Sequence, residues 1–314
     1  MADTPIADDA HRYLDHLMVE RGLSANTLGA YRRDLRRYLS FLSERGIGSA
    51  DDVDEAAIRS FLASISASTH GQEAAPYAAT TVARALSSVR SFHRFLLREG
   101  SVRRDPAAGV VRPRLPRGLP HPLTLDEVGR LLEAPDPATP IGLRDRAILE
   151  LLYGAGLRVG ELTGLDVDDV DLEGGFVRVL GKGGKERDVP VGRFARDAVG
   201  SYLSRTRPGF ASERSRAALF LSSRGHRLTR QSVGRLLSGY ARRAGVDRRV
   251  TPHDLRHSFA THLLDGGADV RVVQELLGHA SVATTQIYTL VTKEHLREVY
   301  YTSHPRARRG TGSA

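Results

Sequence analysis

Apolar residues return at helical spacing through the first hundred positions of the chain. Ile6, Ala10, Tyr13, Leu14, Leu17 and Met18 form one such run, and Gly22 ends it. Ser24 or Asn26 is placed to cap a second helix. Its apolar face is Leu28, Tyr31, Leu35, Tyr38, Leu39 and Leu42, and its opposite face carries Arg32, Arg33, Arg36 and Arg37. A third helix is predicted over about 54–65, followed by a small, polar loop over 67–75. A fourth runs from about 78 to 98, with Val82, Leu86, Val89, Phe92, His93 and Leu96 on one side and Gly100 as its stop.

The pattern then breaks. Pro106, Pro113, Pro116, Pro120 and Pro122 preclude a helix over 105–123. Apolar anchors are few there, and Arg112, Arg114 and Arg117 are interspersed, so the stretch reads as a basic interdomain linker. Thr124-Leu125-Asp126-Glu127 is a capping box that opens a second domain. Helices are predicted over 144–154 and 159–165. Strands over 176–180 and 186–191 flank Gly181-Lys182-Gly183-Gly184-Lys185 as a β-hairpin, and 218–221 is a candidate third strand. Further helices are predicted over about 229–244, 252–264, 270–277, 281–288 and 292–300, and a small, basic tail is expected to be disordered. The expected fold class is mainly α with a small β-sheet. Its parts are a helical domain over 1–104, the linker, a second domain over 124–302 and a tail over 303–314.

A chain of 314 residues is long enough for two such domains. Its 46 Lys and Arg against 37 Asp and Glu give a net charge of +9, which suits a polyanionic partner whose counterions are released on binding. With no cysteine there is no disulfide, no thiolate nucleophile and no cysteine zinc site. Asp3, Asp8, Asp9, Asp15 and Glu20 are unlike a signal peptide, and no apolar run is long enough to cross a bilayer. The expectation is a cytoplasmic protein with no membrane partner.

Candidate chemistry is concentrated in the second domain. Thr251, Pro252 and Asp254 have the chemistry of an N-cap, a first helical residue and a box carboxylate. They set His253 in a first turn whose free N–H groups favour an anion. Arg256, three residues on, shares that face, so one phosphate oxygen could accept from both. His257 is expected to be a hydrogen-bonded core residue. His253 and His257 have the i, i+4 spacing of zinc ligands, but the glutamate of that motif is missing and Arg256 would repel the metal, so no metal is expected.

Arg158 follows the turn Gly154-Ala155-Gly156, with Glu161 three residues away to hold its guanidinium or to form a plain surface pair. Two guanidiniums suit the two non-bridging oxygens of a phosphodiester. Gly-Lys at 181–182 lacks the Ser or Thr and the helix of a nucleotide loop, so no ATP site or other cofactor is expected. Lys182 could instead protonate a leaving 5′-oxygen. Lys185, Arg187, Arg32, Arg33, Arg112 and Arg114 are candidate DNA-backbone contacts. Gly278 is a C-cap that fixes His279 in a turn. Tyr288, beside Ile287, has the surroundings of a packing residue, and a phenol with a pKa near 10 is a poor nucleophile unless cations stabilise its phenolate.

Taken together, these segments resemble the tyrosine site-specific recombinases of the Xer type. Gly-Leu-Arg-Val-Gly-Glu-Leu carries the family's first arginine at Arg158, and Gly-Lys-Gly-Gly-Lys-Glu-Arg its hairpin lysine at Lys182. His-Asp-Leu-Arg-His-Ser-Phe places its His-x-x-Arg pair at His253 and Arg256. Leu-Leu-Gly-His places the late histidine at His279, and Thr-Thr-Gln-Ile-Tyr-Thr the nucleophile at Tyr288. The likeness extends over about 13–299. Asn26 to Leu35 resembles the family's core-binding domain, the loop over 67–75 looks like an insertion, and Leu14 to Leu23 leans toward the D-type partner.

The resemblance implies a SAM-like core-binding domain and a catalytic domain of the DNA breaking-rejoining type, closing as a clamp on duplex DNA. It implies strand exchange through a 3′-phosphotyrosyl link without metal or ATP, in a heterotetramer with a related Xer recombinase. It further implies chromosome dimer resolution under a DNA translocase of the FtsK type, with the segment around 293–300 docked on a neighbouring protomer. Three rivals stand beside it: type IB topoisomerase-like relaxation, a phage-type integrase and a non-catalytic DNA-binding protein. An arm-binding domain of the phage type is not expected ahead of a helix that starts near Ile6.

Overall fold

The computed structural model describes residues 4–23, 25–67, 77–113, 122–181, 184, 186–278 and 292–307. The chain divides into two compact units, Met1–Gly118 and Leu119–Ala314. The first unit holds α1 (Pro5–Val19), α2 (Ala25–Ser43), α3 (Glu55–Ala67) and α4 (Ala79–Arg98). Its core is built from the helical stripes of the sequence: Ile6, Tyr13 and Leu17, then Leu35, Tyr38 and Leu42, then Val82, Leu86, Val89, Phe92 and Leu96. Met18 lies off its stripe and is 53% exposed. On α2, Arg32, Arg33 and Arg36 face solvent. Asp34 of the same helix is buried, and it accepts from Arg84 and from Ser88 of α4, both at 3.0 Å. The basic helix is thereby tied to α4 by a charge-assisted bond.

The stretch over 105–123 has more anchors than its prolines suggest. Ala107 and Val110 are buried in the first unit's core, and Arg90 donates to the carbonyls of both. Leu123 is buried in the second unit, and its N–H donates to Ser258 Oγ at 2.8 Å. Arg112 is exposed, whereas Arg114 and Arg117 lie outside the described residues.

The second unit begins with α5 (Leu125–Glu133), whose capping box at Thr124 and Glu127 is formed in both directions. It continues with α6 (Pro140–Gly154), α7 (Val159–Gly164), β1 (Val170–Asp171), β2 (Phe176–Leu180) and β3 (Glu186–Pro190). Then come α8 (Arg193–Arg205), α9 (Arg207–Phe210), α10 (Arg230–Arg243), α11 (Pro252–Asp265), α12 (Val270–Leu277) and α13 (Lys293–Ser303). Helix α6 is buried on nearly every side, with Ile148, Leu151, Leu152 and Tyr153 fully enclosed, and it packs against α8 and α11.

The sheet is antiparallel in the order β1-β2-β3, and Phe176 pairs with Pro190 and Leu180 with Glu186. The third strand expected at 218–221 is not one. That segment makes only isolated bridges, Asp166 to Ala218 and Leu221 to Arg227. The Tyr202 hydroxyl donates to the Leu219 carbonyl at 3.0 Å and accepts from the Leu221 N–H at 3.1 Å, so a side chain meets backbone groups that a ladder would otherwise use.

The carboxyl end also departs from expectation. Helix α13 packs against α11, α12 and β3 of its own domain, and the chain past Ser303, expected to be a disordered tail, is ordered through Ala307. The fully buried Tyr300 hydroxyl donates to the Gly154 carbonyl at 2.7 Å and accepts from the Gly192 N–H at 2.9 Å. His304 is buried and stacks on Tyr300, while Arg306 pairs with the buried Glu150. The helix expected over 281–288 lies outside the described residues.

Candidate active site

Arginines from three segments of the second unit converge on one carboxylate. After α6 the chain turns at Gly156, with φ +59°, where a Cβ would run into the Phe259 ring. That turn delivers Arg158 to the N-cap of α7, with Glu161 at the third helical position. Glu161 is 5% exposed at its side chain. It accepts from the Arg158 N–H at 2.9 Å and from Arg158 Nη1 at 2.8 Å. Arg187 of β3 adds a bidentate pair, Nη1 to Oε1 at 2.9 Å and Nη2 to Oε2 at 3.1 Å. Arg256 of α11 approaches to 3.9 Å.

Arg256 is placed by the α11 cap, where the Thr251 N–H donates to Asp254 Oδ2 at 2.7 Å and Pro252 takes the first helical position. It reaches inward, giving Nη1 to the Gly156 carbonyl at 2.7 Å and Nη2 to the Leu277 carbonyl. Arg158 Nη2 donates to the Gly278 carbonyl at 3.2 Å, and Arg187 Nε reaches the Leu276 carbonyl at 3.4 Å. Three successive carbonyls at the end of α12 thus face three guanidiniums, where the helix dipole favours cations. Gly278 closes α12 at φ +61°, and a Cβ there would lie 2.9 Å from Arg187 Nε. The end of α12, which leads into His279, is thus held by all three arginines.

The electrostatics follow from this packing. Burial raises the Glu161 pKa, but hydrogen bonds from Arg187 and Arg158 outweigh it and hold the carboxyl below its usual range. Burial, then the neighbouring Arg158 charge, push Arg256 down to about 10 against the opposing pull of Glu161, so it remains a cation at neutral pH. Three guanidiniums against one carboxylate leave two positive charges in excess. Arg158 is 42% exposed and Arg256 8%, so the first meets solvent directly and the second is pre-oriented behind it. An anion with two free oxygens fits this arrangement.

The other sequence candidates divide clearly. His253 is exposed in the first turn of α11, while Arg256 points into the cluster. The core role expected of His257 belongs to His262, whose Nδ1 lies 2.9 Å from the buried Tyr153 hydroxyl and whose pKa is lowered by burial; His257 itself is half-buried. Arg187, expected at the DNA backbone, is committed to Glu161 and the α12 terminus, a role that only the folded chain reveals. Lys182, Lys185, His279 and Tyr288 lie outside the described residues. Arg230, which sequence reasoning passed over, lies against Gly160, where a Cβ would come 2.9 Å from its Nη2; this extends the basic surface beside Arg158. Among the described residues, no cluster of His, Asp or Glu has the makings of a metal site.

Comparison with known proteins identifies the family. Residues 10–100 match the phage integrase N-terminal SAM-like domain, and residues 122–295 match the phage integrase family. The chain is 54% identical over 301 residues to a tyrosine recombinase XerD of Mycobacterium tuberculosis, covering 94% of this chain and 97% of that protein. It is 50% identical over 301 residues to a tyrosine recombinase XerD of Corynebacterium glutamicum, covering 95% and 98%. A crystal structure of the XerH site-specific recombinase bound to palindromic difH substrate, a post-cleavage complex, superposes with a TM-score of 0.63 at 23% identity over 88% of this chain and 80% of that one. That likeness is one of fold.

Proposed function

The chain belongs to the phage integrase family and is a tyrosine recombinase; from that premise we propose that it resolves chromosome dimers in the cytoplasm, cutting and rejoining DNA at a specific site through a 3′-phosphotyrosyl intermediate. The observation that carries the chemistry is the Glu161-held cluster of Arg158, Arg187 and Arg256 at the α12 terminus.

Tyr288 Oη attacks the scissile phosphorus. A P–Oη bond forms, the P–O5′ bond breaks, and the phenolic proton passes to His253 while Lys182 protonates the departing 5′-oxygen. Arg158 and Arg256 bind the non-bridging oxygens, and His279 adds a third hydrogen bond. Charge on those oxygens grows as the pentacoordinate state forms, so fixed guanidiniums bind that state more tightly than the ground state. Glu161 keeps the guanidiniums from drifting apart under their own repulsion. The phosphotyrosyl link conserves the bond free energy, so a 5′-hydroxyl from another strand attacks it in reverse and religation needs no ATP.

Residues 1–104 act as the core-binding domain and 124–302 as the catalytic domain. Arg32, Arg33, Arg112, Arg114 and Lys185 contact the DNA backbone. The partners are duplex DNA, a related Xer recombinase completing a heterotetramer in which this chain is the D-type member, and a DNA translocase of the FtsK type. A supercoiled plasmid bearing two directly repeated chromosome-terminus sites tests the reading, with the paralogue and the translocase's recombinase-contacting domain supplied. Two smaller circles are expected. Relaxation of a plasmid without sites would favour a topoisomerase instead.

A further inference from the structure

The arginines Arg193, Arg196 and Arg297 line one cavity of about 610 Å³ in the second unit, between the first turn of α8 and α13. Its walls are partly aromatic. The Arg297 guanidinium lies 5.5 Å from the Phe176 ring centre and 5.6 Å from that of Tyr301, and Arg193 lies 4.7 Å from that of Phe194. Tyr301 is itself held by a 3.2 Å bond from its hydroxyl to the Val191 carbonyl.

The charge of this cavity is unbalanced. The nearby Arg306 is neutralised by Glu150. Among the described residues, no carboxylate pairs with Arg193, Arg196 or Arg297, and α8 has neither an acidic residue in its first turn nor a side-chain cap. Like charges gathered around a concave space repel one another, and the positive end of a helix adds to the field. A bound anion would offset that repulsion.

The shape narrows the choice of anion. A duplex presents its phosphates on a convex ridge, whereas this space is concave and in the size range of pockets that enclose a few side chains. Guanidiniums pair with carboxylates in planar, bidentate geometry, and the Tyr301 ring that lines the same space offers apolar contact. The cavity also lies by Phe176, at the end of the sheet opposite the turn that joins β2 to β3. We propose that the cavity bounded by Arg193, Arg196 and Arg297 docks an acidic peptide segment of a partner protein, with carboxylates flanking an apolar side chain.

The test uses the full chain and a fluorescein-labelled Glu-Glu-Phe-Glu-Glu peptide, read by fluorescence anisotropy. R193Q/R196Q/R297Q is expected to weaken binding at least tenfold. R214Q/R224Q, which removes two exposed guanidiniums elsewhere, should leave it within twofold, and a 20-base-pair duplex should not displace the peptide. Should the triple variant melt early, R193Q/R297Q, which alters exposed positions only, carries the same expectation with a smaller loss. Equal loss in the two control and test variants, or unchanged affinity in the triple variant, would overturn the proposal. Displacement by duplex, with matching loss of DNA affinity in the triple variant, would assign the cavity to phosphate and overturn it equally. None of these readouts depends on recombination, so the proposal and the catalytic reading fail separately.

Discussion

Glu161 and Arg187 are 26 positions apart in sequence and meet through two parallel hydrogen bonds of 2.9 and 3.1 Å, inside the same cluster that holds Arg158 and Arg256. The arginines proposed to bind the phosphate are therefore held by a counter-charge that never leaves the protein. Without it, three guanidiniums would face one another across the end of α12.

Glu161→Ala is expected to lower unfolding free energy by about 3 kcal/mol, since it strands buried guanidiniums without their partner. Urea denaturation measures this. Glu161→Gln should keep DNA affinity or raise it, because the excess positive charge grows, while strand cleavage slows at least tenfold as the arginines lose their alignment. Parallel losses of binding and cleavage would point to a merely structural carboxylate.

Gly278→Ala is predicted to cost about 1–2 kcal/mol, from the left-handed backbone and from the crowding of Arg187. Cleavage should fall more than stability does, since position 278 leads directly into His279. Normal cleavage by a destabilised variant would separate this turn from the chemistry.

The carboxyl-terminal fold gives a pH dependence. Burial holds His304 down to about 3, with the charges of His262 and Arg306 acting in the same direction, against about 6.5 in an unfolded chain. A histidine lowered in this way takes up its proton in the unfolded chain first. Its contribution to stability is therefore whole above about pH 6.5 and is lost as pH falls from there toward 3. The slope from this one group is up to about 1.4 kcal/mol per pH unit. Glu161 acts in a lower window, because its depressed folded value means that stability is lost only as pH falls below about 4.3. Chemical denaturation between pH 7 and 5 of the protein and of His304→Phe should show a shallower fall in the variant. Identical slopes would exclude His304 as a source.

Tyr300→Phe removes both bonds of a hydroxyl that joins α13 to Gly154 and Gly192, leaving a buried carbonyl and N–H unmet. A loss of about 1–3 kcal/mol is expected in the melting of the isolated protein. Retention of full stability would mean that water replaces the hydroxyl.

Much of this was legible in the sequence because it is local. The caps at Thr124 and Thr251, the stripes of α1, α2 and α4, and the two hairpin strands follow from patterns within short stretches of chain. Glu161 was readable as the tether of Arg158 because three residues on a helix bring them together. Arg187 was not, since its partner is reached only when β3 is laid beside α7. Helix α8 left a readable signal in Ala195, Ala198, Val199 and Tyr202 that was passed over. Strand β1 left almost none, because two residues make no period. The ordered end at His304 and Arg306 was hidden by composition: small and basic residues suggest solvent, yet the buried Glu150 holds Arg306 and the Tyr300 ring stacks on His304.

The most direct measurement uses a suicide DNA substrate nicked beside the cleavage site, followed by mass spectrometry of the trapped adduct. The account predicts a single DNA-linked peptide joined through Tyr288, absent from Tyr288→Phe and strongly reduced in Arg158→Ala and Arg256→Ala. An adduct that persists undiminished in Tyr288→Phe, or one linked through another side chain, would contradict it.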